Sequence, residues 1–357
     1  MVNYKLAIEE DYSMINDFYN RIHGLNRSID EFYWEFHNCP FGKSIYVIAK
    51  DGDKIVGTNC VIPIDLIYSD NSIIKSGKSE DTLVDPDYRG QNIFNNIYDF
   101  LFEKCKEQGI QVIWGYTPAK KPFLKLGFSI PFDHKQSLAV NKLFKSYSFL
   151  SSLNNKNTKL EKAKIFALCL FSKLKTISFA KKKEIKGYRM IENQKITKGV
   201  DELVQTNLNS LESNFAINQT ESFQDWRIYR NPNFFKVHTY GFYDSNEVLK
   251  ALFVLNSHSN KVAYFCQSTF NESLSDEERV KMIKCITKKL FDDGIAIIRN
   301  WHFDHTAVNK NEINSFKNSN FTFIDRGIGF VWKNLDNTIE IDSSNFILSR
   351  ISTQGVI

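Results

Sequence analysis

Ser79-Glu80-Asp81-Thr82-Leu83-Val84-Asp85-Pro86-Asp87-Tyr88-Arg89-Gly90-Gln91-Asn92-Ile93-Phe94 reads as a strand, a tight polar turn and a helix start. Pro86 and Gly90 punctuate the stretch, and from Asn92 to about Gln108 apolar residues recur at helical spacing. The first amides of a helix lack intrahelical acceptors and lie at the positive end of its dipole, so such a junction suits phosphate oxygens. Gly90 lets backbone approach an anion with no side chain in the way.

Upstream, residues 4–36 carry two helical patterns, the second opened by Ser28 and Glu31 at capping-box spacing and stopped by Cys39-Pro40-Phe41-Gly42. Ile45–Ala49 reads as a buried strand, Lys50–Asp53 as a hairpin turn and Lys54–Thr58 as the return strand. Downstream, Gln111–Tyr116 reads as a strand and Ala119–Leu126 as a short helix closed by Gly127-Phe128.

This order and this turn resemble the GCN5-related N-acetyltransferase (GNAT) superfamily, whose acyl-CoA turn usually reads Arg/Gln-x-x-Gly-x-Gly/Ala. Arg89 takes the first position, Asn92 the place of the first motif glycine and Phe94 that of the second, while Gly90 matches an extra glycine common in these turns. Asn tolerates left-handed backbone angles better than most residues. The resemblance implies an α/β (α+β) fold, a mixed, mainly antiparallel twisted sheet flanked by helices. It implies acyl-CoA as cosubstrate, bound by Leu83, Val84, Arg89, Gly90, Gln91, Asn92, Ile93 and Phe94. Backbone near Leu83 and Val84 would pair with pantetheine, and one amide there would stabilise the oxyanion.

The second half repeats the first. Trp34-x5-Pro40 recurs as Trp226-x5-Pro232, offset by 192, and Phe123–Phe128 recurs as Phe316–Phe321, offset by 193. No Arg-Gly turn follows Phe265–Thr269, and the next helix start is acidic. The expectation is two tandem GNAT-like modules: an acyl-CoA-binding module over 1–139, a connecting segment over 140–195 and a degenerate, acceptor-binding module over 196–357. From Lys156 to Lys186 the connection holds ten Lys and two Glu around the apolar run Ile165–Phe171. It reads as a helix with its apolar face on the domains and its lysines in water; contact with an anionic membrane is the alternative. Without interleaved aromatics it does not suggest nucleic-acid binding.

Acyl transfer to an amine needs a base, oxyanion stabilisation and a route for the thiolate. Glu80 and Asp81, adjacent on a strand and so on opposite faces, are the candidate bases, Glu80 preferred because the superfamily's carboxylate falls near this register. Phe123 stands in the family's tyrosine slot and cannot donate a proton, so the acid is absent or supplied elsewhere, with Tyr116 a candidate; a CoA thiolate can also leave unprotonated. In the second module His302 is a candidate to deprotonate an acceptor, with Trp301, Asp304 and His305 beside it for binding. His302 and His305 have no visible third ligand, so no metal is expected.

The overall plan is similar to bacterial nucleotide-sugar N-acyltransferases. It implies transfer of acetyl or a 3-hydroxyacyl group such as 3-hydroxybutanoyl to a dTDP-3-amino-3,6-dideoxy-D-galactose type acceptor for surface polysaccharide. A peptide or aminoglycoside acetyltransferase, or a non-catalytic CoA- or membrane-binding protein, are the alternatives. Six scattered cysteines, no signal-like N-terminus and no long apolar run suggest a cytoplasmic protein.

Overall fold

The computed structural model describes residues 2–154, 158–177, 185–209, 213–259, 261–324, 327–336 and 341–353. The chain opens with β1 (Asn3–Leu6), α1 (Tyr12–His23), α2 (Ile29–Phe36) and the hairpin β2 (Ile45–Asp51) and β3 (Lys54–Pro63). It continues through β4 (Ser76–Val84), α3 (Ile93–Glu107), β5 (Val112–Thr117) and α4 (Lys120–Lys125). Next come β6 (Lys135–Val140), α5 (Leu143–Ser152), α6 (Lys159–Thr176), β7 (Arg189–Glu192) and α7 (Val200–Leu208). The rest comprises β8 (Lys236–Tyr243), β9 (Leu249–Ser257), β10 (Val262–Phe270), α8 (Asp276–Asp292), β11 (Ile297–His302), α9 (Ala307–Asn318), β12 (Thr322–Ile324) and β13 (Gly329–Asn334).

Two compact units result. The first comprises Met1–Asp133, Glu212–Asn233 and Ile328–Phe346; the second comprises His134–Leu211, Phe234–Gly327 and Ile347–Ile357. The units therefore cut across boundaries at 139 and 195. The reason is strand pairing: β13 pairs antiparallel with β5 in the first sheet, and β6 pairs antiparallel with β11 in the second. β6 follows α4, and β13 follows α9 and β12, so each sheet is completed by a strand that the other half of the chain supplies.

In the first unit the sheet order is β1-β2-β3-β4-β5-β13. Asn3–Leu6, assigned above to no strand, pairs with β2. The helical face of α3, with Ile97, Tyr98, Leu101 and Cys105, packs on Val47, Ala49, Val56 and Ile113. Helix α2 starts in the expected capping box, Ser28 accepting from the Glu31 amide and Glu31 from the Ser28 amide. In the second unit the order is β12-β6-β11-β10-β9-β8-β7, with α8 on one face against Phe253, Phe265 and Ile298. These two larger sheets are antiparallel except for one parallel pair each, β4 with β5 and β10 with β11, and a third, four-stranded sheet joins Leu66–Tyr68, Ile73–Ile74, Phe215–Ile217 and Phe346–Ile347. Among the described residues the cysteines form no disulfide, and five of the six are buried. Among the described residues no helix is long and apolar enough to cross a membrane.

Candidate active site

β4 and β5 pair only through Ser76–Val112, Gly77–Ile113 and Lys78–Trp114. Beyond Lys78 the strands part, and a cleft of about 230 Å³ opens between them. Its walls include Ser79, Glu80, Asp81 and Thr82 from β4, and Gly115, Tyr116 and Thr117 from β5; Phe94, Pro122 and Phe123 add apolar surface. Parted strands leave main-chain donors and acceptors along their facing edges, the requirement for holding an extended, amide-bearing ligand arm.

The expectation that Glu80 and Asp81 take opposite faces fails. Thr58 pairs with Leu83 and Cys60 with Glu80, so two residues of β4, Asp81 and Thr82, oppose Asn59 alone. Asp81 adopts φ +51°. This β-bulge breaks the two-residue alternation, and both carboxylate residues line the cleft. Thr82 Oγ1 donates to Asn59 Oδ1 (3.0 Å), and the buried Tyr98 hydroxyl lies 3.0 Å from the hydroxyls of Ser79 and Thr82. These bonds fasten the bulge to β3 and α3.

The two carboxylates differ in their commitments. Asp81 Oδ2 accepts from Arg27 Nη1 (2.9 Å) and from the Tyr46 hydroxyl (2.7 Å), and both charged side chains are buried. Glu80 pairs with the ammonium of Lys78 and keeps 18% of its side chain exposed. Burial lowers Lys78 from its usual pKa, against the opposing pull of Glu80. Glu35, on α2, is the third acid of this cluster. Burial, then the charges of Glu80 and Asp81, push its carboxyl up to about 7. Sequence reading missed Glu35, Arg27, Tyr46 and Lys78, because nothing local marks residues that meet only through the bulge.

β4 leads directly to the phosphate-like turn. Leu83 and Val84 close the strand opposite Thr58 and Gly57. After the turn Pro86–Tyr88, Arg89, Gly90 and Gln91 are exposed, Gly90 at φ +83°. Asn92 caps α3 in the left-handed region, φ +60°, which explains how it can stand where a glycine is usual. Its side chain engages Asn95 and Asn96 and caps no amide. The amides of Ile93, Phe94 and Asn95 therefore have neither intrahelical acceptor nor cap, and no acid lies in the first turn. Phe94 turns its ring onto Tyr98 and Phe123, centroids 5.0 and 5.9 Å away. The turn offers free amides to an anion, and the cleft beside it has room for an extended ligand arm.

The acetyltransferase (GNAT) domain family matches residues 3–130. Residues 3–130 are thus similar to a GNAT acetyltransferase domain, and the match takes in the turn and most of the cleft wall. Solved structures share the fold over 94% of the chain. A conserved protein of unknown function from Enterococcus faecalis V583, described as a probable N-acyltransferase, superposes with TM-score 0.64 at 8% identity over 72% of its own length. A GCN5-related N-acetyltransferase from Anabaena variabilis ATCC 29413 gives 0.62, 9% and 73%. A tandem GNAT protein from the clavulanic acid biosynthesis pathway gives 0.56, 11% and 99%. The fold is thus that of two tandem GNAT modules. No curated protein matches the chain in sequence.

The second GNAT-like unit keeps the divergence of its central strands without the two carboxylates. Its last parallel pair, Tyr264–Arg299, corresponds to Lys78–Trp114 at an offset of 186 on the central strand. At that offset Cys266 and Gln267 stand where Glu80 and Asp81 do, again beside a register shift. Helix α8 starts with Asp276, Glu277 and Glu278 and is closed by a Ser275–Glu278 capping box, which repels an anion.

The histidine cluster is corrected by burial. His302 is 0% exposed, its ring against Phe316 and Phe323, with Nε2 2.7 Å from Ser137 Oγ and Nδ1 3.7 Å from Glu312. A side chain with no surface cannot meet an acceptor, so His302 is a core histidine. Asp304 pairs with Lys135 (2.5 Å), and His305 lies edge-on to Phe303, centroids 6.4 Å apart. Trp301 stacks on His134 at 3.9 Å. The buried guanidinium of Arg350 lies 5.0 Å from the Trp301 ring and 4.7 Å from Tyr264, and Arg299 lies 5.5 Å from Tyr264. Among the described residues neither arginine has a carboxylate partner. Burial lowers Arg350 to about 10.

Proposed function

We propose that the first module binds acyl-CoA with Arg89–Phe94 cradling the pyrophosphate and Leu83–Val84 offering backbone to pantetheine. The parting of β4 and β5 beyond Lys78, beside an uncapped helix start, carries this reading. Acyl-CoA supplies the thioester. Glu80 accepts the proton that the acceptor amine gives up as its nitrogen bonds to the acyl carbon. A β4 amide stabilises the oxygen charge that develops, and Tyr116, in the cleft wall, protonates the sulfur as the C–S bond breaks. Asp81 holds Arg27 and Tyr46, and so positions the bulge.

The acceptor in this reading is a nucleotide-linked amino sugar of the dTDP-3-amino-3,6-dideoxy-D-galactose type. The acyl group is acetyl or 3-hydroxyacyl, and the product serves surface polysaccharide synthesis in the cytoplasm. This acceptor is what a plan of two tandem GNAT modules, similar to bacterial nucleotide-sugar N-acyltransferases, implies. Glu80 and Asp81 in the cleft wall, with Glu35 buried near them, favour a second reading, a cationic aminoglycoside or peptide amine. Thiol release from acetyl-CoA and 3-hydroxybutyryl-CoA, measured against dTDP- and UDP-linked amino sugars, aminoglycosides and peptides, separates the two. Release requiring one amino sugar establishes the first. Release only with cationic amines establishes the second.

A further inference from the structure

Helix α6 (Lys159–Thr176) meets the domain with only part of its apolar run, Cys169 buried and Leu168 half-buried against the core. Sequence reading placed its apolar face on the protein. Its buried residues are Cys169, Ser172 and Thr176. They fasten it to β6 by polar bonds: the Val140 amide donates to Ser172 Oγ (3.2 Å), and Thr176 Oγ1 donates to the Val140 carbonyl (2.5 Å). Leu160, Phe166, Leu170, Phe171 and Leu174 are exposed, Leu174 by 58%. From α5, Phe144 adds a ring 75% exposed and 6.4 Å from that of Phe166.

At about 100° per residue these side chains occupy one outward arc of the helix. Lys162 and Lys173 border the arc on one side; Lys164 and Lys175 border it on the other. Lys175 reaches back over the Phe171 ring, Nζ 4.7 Å from its centroid. Long cationic side chains flanking an apolar stripe can lift their charges into a headgroup layer while the stripe sinks below it. The segment Lys156–Lys186 holds ten lysines and two glutamates; Lys156 and Lys181–Lys183 lie outside the described residues. An apolar patch this continuous on a protein surface marks an interaction site.

We propose that the α5–α6 face docks onto an anionic phospholipid bilayer, with α6 lying in the interface and its lysines on the phosphates. Charge selects this occupant. A second copy of the chain packed through the same face would set like-charged lysine rows against one another, because a two-fold interface is self-complementary. Acidic lipid supplies the opposite sign along both borders of the stripe.

Co-sedimentation of the full chain with sucrose-loaded vesicles tests this, using phosphatidylcholine alone or with phosphatidylglycerol. The protein should pellet with the anionic vesicles and stay in solution with the neutral ones, binding falling as salt rises. Leu170→Glu with Leu174→Glu should abolish pelleting, and Lys162→Gln or Lys164→Gln should each weaken it roughly fivefold. All four side chains are exposed, so thermal unfolding should be unchanged, and this check separates lost docking from lost fold. Absence of pelleting with anionic vesicles overturns the proposal. So does a concentration-dependent dimer abolished by the Leu170/Leu174 variant without vesicle binding. Neither result bears on acyl transfer, which is read separately by thiol release.

Discussion

Trp34 and Trp226 stack on each other, centroids 5.5 Å apart, and each indole N–H donates to the other's backbone carbonyl, at 2.8 and 2.7 Å. The two are 192 residues apart, the offset at which Trp-x5-Pro repeats in the sequence. Equivalent residues of the two halves thus meet across a local two-fold inside the first unit. A duplicated chain gains here what a homodimer gains at its axis: one favourable contact made twice.

Replacing either tryptophan by phenylalanine should keep most of the stacking and leave one buried carbonyl unpaired. The expected loss is about 1–3 kcal/mol, read as a lower denaturation midpoint. The double variant should lose less than the sum of the singles, because the two bonds share one geometry. Additive losses would show that the pair does not act as a unit.

Glu80→Gln and Asp81→Asn should separate chemistry from architecture. Glu80→Gln is expected to lower kcat by about 10²–10⁴-fold while leaving acyl-CoA binding intact. Asp81→Asn withdraws the charge facing the buried Arg27 and should destabilise the protein by roughly 3 kcal/mol. Steady-state kinetics beside chemical denaturation check both. Equal loss of activity at equal folded fraction would shift the base role to Asp81.

Much of this fold was legible in the chain because it rests on local signals. Ser28 and Glu31 form the capping box that their spacing announces, Gly127 closes the short helix at φ +78°, and α3 runs Ile93–Glu107 as its periodicity required. The turn Arg89–Phe94 was readable because helix starts and glycines leave marks in sequence. What stayed hidden is non-local. The exchange of β6 and β13 between units depends on which edge each strand meets, and Lys135–Val140 looks the same beside either sheet. The bulge at Asp81 arises from registry with Asn59, so strict alternation misplaced the two acids. His302 sits in a polar-looking run, Asn300–His305, and β11 carries that one side chain into the core.

Glu35 should make stability depend on pH. Its folded-state pKa of about 7 lies above the ordinary 4.5, so between those values the folded protein holds more protons than the unfolded chain. Stability contributed by the neutral carboxyl is therefore full below about 4.5 and lost as pH rises through 7, at most roughly 3 kcal/mol. Glu35→Gln should flatten this slope and be more stable than the parent at pH 8. Denaturation midpoints across this range decide it; parallel profiles would assign the slope to another group.

The left-handed positions of the turn give the sharpest test of the acyl-CoA cradle. Gly90 stands at φ +83° with nothing within 4 Å of a would-be Cβ, so the space beside it is open to a ligand. Gly90→Val places a branched side chain there and forces it into backbone angles it resists, at about 1–2 kcal/mol. Asn92→Val imposes the same strain at φ +60°, whereas Asn92→Gly relieves it. If the turn holds the pyrophosphate, Gly90→Val should raise the KM for acyl-CoA well beyond its effect on unfolding. Asn92→Gly should leave KM close to the parent value, because glycine keeps the αL geometry and the free amides of α3. Should Gly90→Val instead lower stability alone, with acyl-CoA affinity unchanged by calorimetry, Gly90 would serve only to turn the chain. The phosphate contacts would then belong to the amides of Ile93–Asn95.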